Sequence, residues 1–165
     1  MSQSILITGA SSGIGAATAE VFLSAGWTVG LLARRTEKLH DIAEGHDRAH
    51  VLPADVTDAE AVAAAVVEFS DRAGRLDVLF NNAGLFGVAG TIDEVPLDVW
   101  REVVDVNLSG MFFAARAAFA QMRRQDPQGG RIINNGSISA HVPRDGSVCY
   151  TSTKHAITGL TKTLS

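Results

Sequence analysis

The chain alternates short apolar runs with longer segments of helical periodicity along its whole length, and that alternation is its strongest constraint. The runs are SILIT at Ser4 to Thr8, WTVGLLA at Trp27 to Ala33, AHVLPA at Ala49 to Ala54, LDVLF at Leu76 to Phe80 and GRIINNGS from Gly130. Each is short and bounded by turn residues, and none alternates polar with apolar positions, so each reads as a strand buried on both faces. Between them the spacing predicts helices from Gly13 to about Ala25, Thr36 to Glu44, Asp58 to Arg72, Pro96 to Gln125 and Ser147 to Ser165. In the first helix Ile14, Ala17, Val21 and Phe22 make the expected inner stripe, with Gly26 as the stop. In the long one, Trp100, Val103, Val104, Leu108, Met111, Phe112, Ala115, Phe119 and Met122 keep the i, i+3, i+4 rhythm. Strands that need cover on both sides, joined by helices long enough to cross over, imply an α/β fold with a parallel sheet between two helical layers.

The chain has 165 residues, 46% hydrophobic and 19% charged, and no repeat or linker, which suits one domain with a real core. A net charge of −4 and the lack of a Lys/Arg-rich block argue against a nucleic-acid partner. The longest uncharged stretch, Met1 to Ala19, is broken by glycine and threonine, so it is neither a membrane span nor a signal peptide. Cys149 is the sole cysteine, which excludes an internal disulfide and suits a cytoplasmic protein. His46 and His50 have i, i+4 spacing, but Gly45 and the following strand make a helical metal site there a poor expectation.

The first strand-to-helix junction reads TGASSGIG, Thr8 to Gly15. Residues without Cβ let a backbone bend tightly and approach a pyrophosphate, and the free N–H groups of a helix N-terminus favour its charge. The logic is that of a dinucleotide fold, although three residues separate the first two glycines where the usual fingerprint has one. Glycine-rich turns also serve packing alone.

Further motifs follow in order: NNAG at Asn81 to Gly84, Asn107, Ser137 within GSIS, and Tyr150-x-x-x-Lys154. Together they resemble the short-chain dehydrogenase/reductase family, in register across nearly the whole chain. The resemblance implies a Rossmann-like doubly wound sheet that binds a nicotinamide dinucleotide and moves hydride between it and a small-molecule alcohol or carbonyl. It also implies a homodimer or homotetramer, built on helices like those at 96–125 and 147–165. Cofactor contacts then fall on Gly9, Ser11, Ser12, Gly13, Ile14 and Gly15, on Asp55 and Val56 after the third strand, and on Asn82, Ala83 and Gly84 after the fourth. Asp55 is equally placed to cap the helix that begins near Asp58.

Residues four apart share a helix face, so Lys154 can hold its ammonium near the Tyr150 hydroxyl or near a ribose beside it. A free phenol is only about 0.1% ionised at neutral pH, so base work by tyrosine needs such a positive neighbour. Tyr150 is thus the expected general acid for reduction and general base for oxidation. A hydroxyl at the carboxyl end of a parallel strand can bond the substrate oxygen. Ser137 matches by its spacing to Tyr150, with Ser139 as rival. Asparagine is a poor helix former and costly to bury without partners. The resemblance explains Asn107 as a residue that distorts its helix and holds a water beside the lysine, with Gly110 easing the distortion.

The second strand ends Ala33-Arg34-Arg35, with no acid until Glu37. A carboxylate there grips ribose hydroxyls, whereas arginine suits a 2′-phosphate, so NADP(H) is expected over NAD(H). Relatives continue past the last helix with further strands and a substrate-covering segment, so the sequence reads as part of a longer reductase. Two other readings are a noncatalytic nucleotide-binding module and an oligomerisation scaffold. The stretch Ala140 to Val148 is expected to line one wall of the site, with a polar look from His141, Arg144 and Asp145.

Overall fold

The computed structural model describes residues 3–164. Five strands, β1 (Ser4–Thr8), β2 (Thr28–Ala33), β3 (Ala49–Pro53), β4 (Val78–Asn81) and β5 (Arg131–Asn134), form one parallel sheet in the order β3-β2-β1-β4-β5. Ser4 pairs with Thr28, Ile5 with Val78, Val29 with Ala49 and Val78 with Arg131. The helices are α1 (Gly13–Ser24), α2 (Thr36–Ala43), α3 (Ala59–Ala73), α4 (Leu97–Val104), α5 (Gly110–Arg124) and α6 (Val148–Thr163). The expected end of the last helix at Ser165 lies outside the described residues.

Every residue of β1 and β2 is buried, as unalternating strands require, but β5 is not buried on both faces: at the sheet edge it has one neighbouring strand and alternates exposed with half-buried residues. Successive side chains go to opposite faces. Leu6, Leu32, Leu52 and Leu79 meet Val62, Val66 and Phe69 of α3 and Ala114, Ala118 and Met122 of α5. Ile5, Ile7, Val29 and Leu31 meet Ala19 and Leu23 of α1 and Leu39 of α2. Each fully buried Leu or Ile contributes about 1.5–3 kcal/mol. Gly30 is the one glycine in β2; a Cβ there would lie 2.6 Å from Leu6 and 2.8 Å from the Phe69 ring, so the aromatic ring takes its place.

Two expectations need correction. The inner face of α1 is Gly15, Ala19 and Leu23, whereas Ala17 is exposed and Ile14 and Val21 are 62% and 66% exposed. The reason is close approach: a Cβ on Gly15 would overlap the Gly9 carbonyl, so the helix enters on its smallest residues and turns Ile14 outward. The long helix is not uniform either. Asp105–Ser109 is a π turn between α4 and α5, and Trp100, Phe112 and Phe119 on its apolar rhythm are substantially exposed. Leu97–Arg124 is long and apolar enough to cross a membrane by length and composition, but Val103, Met111, Ala114, Ala115, Ala118 and Met122 are buried in the fold.

Asp58 caps α3, its carboxylate accepting from the N–H groups of Glu60 and Ala61, and Gly74 ends that helix in the left-handed region. Asp55 therefore does not perform that cap. α6 packs against α4 and the π turn, and brings the carboxyl ends of β4 and β5 beside the Tyr150 turn.

Candidate functional site

The strand order changes direction between β1 and β4, and a cleft of about 490 Å³ opens there at the carboxyl ends of the strands. A crevice at this switch point is where open α/β sheets bind ligands, and its size is in the range of small-molecule sites. It is lined by Gly9, Ser11, Ser12, Gly13, Ile14, Arg34, Arg35, Asp55, Val56, Asn82, Ala83, Gly84, Tyr150 and Lys154. Gly15 lies behind the loop, buried against Gly9.

Different forces require the loop glycines. Gly9, at φ +67°, leaves no room for a Cβ, which would stand 2.8 Å from the Ala83 Cα. Gly13, at φ +55°, faces open space and is needed for its conformation alone. Ser12 precedes α1 in extended backbone without capping it, so its hydroxyl is left for another partner. That partner is Arg35, which donates from Nη2 to Ser12 Oγ at 2.6 Å and from Nε and Nη2 to Ser11 Oγ at 3.2 and 3.0 Å. Arg34 turns the other way, 3.6 Å from the Asp55 carboxylate. Partial burial pushes the Asp55 carboxyl up, but the Thr57 N–H and hydroxyl, with Arg34, outweigh that and hold it below the usual range. The two adjacent arginines thus have different partners, which the sequence alone does not distinguish.

The floor is a web of amides at the ends of β1, β4 and β5. Thr8 Oγ1 accepts from the N–H groups of Asn82 and Ala83 at 2.9 and 3.0 Å. The Asn82 amide donates to the Thr8 carbonyl, and Asn135 donates to Asn82 Oδ1 at 2.9 Å. Asn81 is buried, its amide donating to the Met111 carbonyl at 2.7 Å. Sequence reasoning missed Thr8 and Asn135; the two Asn-Asn pairs at the ends of neighbouring strands were the available signal.

At the far end stand Tyr150 and Lys154. Lys154 is 3% exposed and donates from Nζ to the Asn135 carbonyl at 2.7 Å, with Nζ 5.4 Å from the Tyr150 ring centroid. Burial lowers the pKa of its ammonium below 10.5. Phe86, from the loop after β4, packs on Tyr150 with ring centroids 5.3 Å apart and planes tilted 36°. Phe86 carries no sequence motif and was not expected here.

Ser137 follows β5 in extended backbone, and its Oγ accepts from the Ser139 N–H at 3.1 Å at the start of a 3-10 turn, Ile138–Ala140. With that lone pair occupied, the Ser137 O–H remains available to donate elsewhere. Ser139 is fully buried, its hydroxyl without a hydrogen-bond partner among the described residues, and of the two serines only Ser137 presents accessible surface. The turn packs against α6, which puts Ser137 next to the helix of Tyr150, although neither Ser137 nor Asn107 lines the cleft itself.

Asn107 is fully buried at the centre of the π turn. Its Oδ1 accepts from the Leu85 N–H at 2.8 Å, and its Nδ2 donates to the Leu85 carbonyl at 2.8 Å and to Thr153 Oγ1 at 3.2 Å. Thr153 in turn donates to the Tyr150 carbonyl at 2.8 Å. One side chain thus joins the β4 loop, the bent helix and α6. Gly110 lies where α5 crosses the loop after β3: a Cβ there would press on Val56 at 3.0 Å.

The chain matches the short chain dehydrogenase family over residues 3–165. It is 35% identical to a 3beta-hydroxysteroid dehydrogenase of Mediterraneibacter gnavus, over 96% of this chain and 58% of that protein. It is 37% identical to a serine 3-dehydrogenase of Rhizobium radiobacter, over 93% of this chain and 61% of that one. The crystal structure of a 3-ketoacyl-(acyl-carrier-protein) reductase from Brucella melitensis complexed with NADH superposes with a TM-score of 0.93 at 30% identity, covering 98% of this chain and 68% of the other. The chain therefore spans about three fifths of the length of these two curated relatives. Sequence, sheet order and site geometry converge, and the chain belongs to the short-chain dehydrogenase family of oxidoreductases.

Proposed function

We propose that this chain is the cofactor-binding and catalytic part of an NADP(H)-dependent oxidoreductase that interconverts a carbonyl and an alcohol. One observation carries the reading: a single cleft runs from Arg35, across the glycine loop, to Tyr150 and Lys154. The fit to a dinucleotide is supported by the chemistry of its lining. Gly9 and Gly13 give a small-residue turn at the N-terminus of α1, suited to a pyrophosphate. Arg35 is held by two neutral hydroxyls, so it can offer its fork to a 2′-phosphate, with Ser11 and Ser12 as further donors. NAD(H), lacking that phosphate, makes weaker use of the same wall.

When bound, the cofactor supplies or accepts the hydride. The residues of this chain then manage the proton and the charge. Tyr150 donates its phenolic proton to the carbonyl oxygen in reduction and takes it back in oxidation. Lys154 offsets the negative charge left on the phenolate, acting at short range in a poorly solvated corner. The Ser137 hydroxyl donates to the substrate oxygen and so stabilises the developing oxyanion. Asn107 acts by position, holding the β4 loop and α6 in register.

The substrate is a small alcohol or carbonyl compound. A homodimer or homotetramer is supported by the exposed Trp100, Phe112 and Phe119 on the long bent helix, and a cytoplasmic setting by the single free, buried Cys149. The test is calorimetric titration of the chain with NADPH and NADH, followed by NADPH oxidation in the presence of simple ketones for wild type and Tyr150→Phe. Tight NADPH binding, turnover, and loss of turnover in the variant with binding retained are expected. Turnover that survives in Tyr150→Phe would remove the tyrosine from the mechanism.

A further inference from the structure

Several large apolar side chains stand exposed on the loops near Tyr150, and nothing in the dinucleotide reading requires that. Phe86 packs on the Tyr150 ring yet keeps 41% of its own surface exposed. Ile138, the neighbour of Ser137, and Val142, whose N–H donates to the Ile138 carbonyl, are each 62% exposed. The loops that carry them are tied together where the Gly90 N–H donates to the Gly146 carbonyl at 3.0 Å. Tight approach stiffens the same frame: a Cβ on Gly87 would stand 2.7 Å from Val103, and one on Gly146 3.2 Å from the Gly90 nitrogen. The charged residues that line the cleft, Arg34, Arg35 and Asp55, sit at the arginine end. Among the described residues that line the cleft, the tyrosine end has one charge, Lys154, whose ammonium donates to the Asn135 carbonyl.

We infer that the substrate carries an apolar ring or branched hydrocarbon beside its reacting carbonyl, with Phe86 as the platform that selects it. This rests on the oxidoreductase reading above. A substrate oxygen within hydrogen-bond reach of the Tyr150 hydroxyl brings its substituents against Phe86. A carboxylate packed on the Phe86 ring loses water, and the one ammonium lining this end is already bonded to the Asn135 carbonyl, whereas a hydrocarbon gains burial on a ring already fixed by its neighbour. The stretch Ala140 to Val148, expected as one wall of the site, does not line the cleft: His141, Arg144 and Asp145 are exposed outside it.

The test compares 4-tert-butylcyclohexanone with 4-oxocyclohexanecarboxylate, which share ring and carbonyl and differ in one substituent. The NADPH-loaded chain should prefer the former in kcat/KM by about tenfold or more, the discrimination a hydrophobic contact of this size supplies. Phe86→Ala should shrink that preference through KM for the apolar ketone, and Phe86→Leu should restore part of it. Equal use of the two ketones by wild type, or an equal loss for both in Phe86→Ala, overturns the inference. Binding of 4-tert-butylcyclohexanol in the presence of NADP⁺, followed by saturation-transfer NMR, needs no turnover. Binding that weakens in Phe86→Ala supports the platform even if the chain proves inactive as a reductase, and no binding to wild type overturns it.

Discussion

Asn107→Ala is the sharpest probe of how this fold holds its site. The side chain is fully buried and makes three hydrogen bonds, two to the backbone of Leu85 and one to Thr153. Alanine removes all three and leaves the Leu85 N–H and carbonyl beside a small void. Each bond contributes about 0.5–1.5 kcal/mol net, and an orphaned, partly buried backbone group costs about 1–3 kcal/mol. Three such bonds give roughly 1.5–4.5 kcal/mol, and the orphaned groups push toward the upper half of that range. For a chain of this size a loss of 1 kcal/mol lowers Tm by about 2–4 °C, so a fall of about 5–15 °C is expected. Thermal unfolding followed by circular dichroism or calorimetry reads it, and hydrogen exchange of the Leu85 amide reads its local part. Asn107→Asp keeps the acceptor for Leu85 N–H but turns an oxygen toward the Leu85 carbonyl and brings a charge into a buried site, so it should be no milder. An Asn107→Ala Tm within about 2 °C of wild type would refute the claim that this side chain joins three elements.

Arg35→Ala should weaken NADPH binding by about 10–100-fold and leave NADH nearly unchanged, as befits loss of charge-assisted bonds worth about 1.5–3 kcal/mol. Arg34→Ala should do less to the NADPH/NADH ratio, because that guanidinium faces Asp55; calorimetry with both cofactors separates them, and the opposite ranking would reassign the phosphate reader. Lys154 is costly to keep charged in the folded state. Between its lowered folded pKa and 10.5 the unfolded chain binds more protons, so wild type should gain stability relative to Lys154→Met as pH rises through that window. Parallel stability curves in denaturant would show a well-solvated ammonium. Gly15→Ala drives a Cβ into the Gly9 carbonyl, which must move the turn or α1, so both Tm and NADPH affinity should fall; retention of both would mean the loop yields freely.

Much of this was legible in the residues. Unalternating apolar runs report burial on both faces at the central β1 and β2, though not at the edge strand β5, and the observed sheet is the parallel one they imply. The glycine turn, the NNAG segment and the Tyr150–Lys154 pair are local patterns, set by backbone conformation or by one turn of helix, and they do line one cleft. The inner face of α1 was misread because hydrophobicity ranks Ile14 and Val21 above Gly15 and Ala19, while close helix-to-strand approach selects the smaller side chains.

Sequence by itself determined the strand and helix order, the two-layer cover of the sheet and the residue types at the cleft, because each depends on neighbours a few positions apart. Tertiary structure alone decided which arginine meets Asp55, which of Ser137 and Ser139 stays accessible, that Asn107 bonds Leu85 and Thr153, and that Phe86 lies on Tyr150. Those pairings join residues from 2 to 64 positions apart. Their free energies turn on direction and solvent exclusion, which the packed chain supplies and a string of residue types does not.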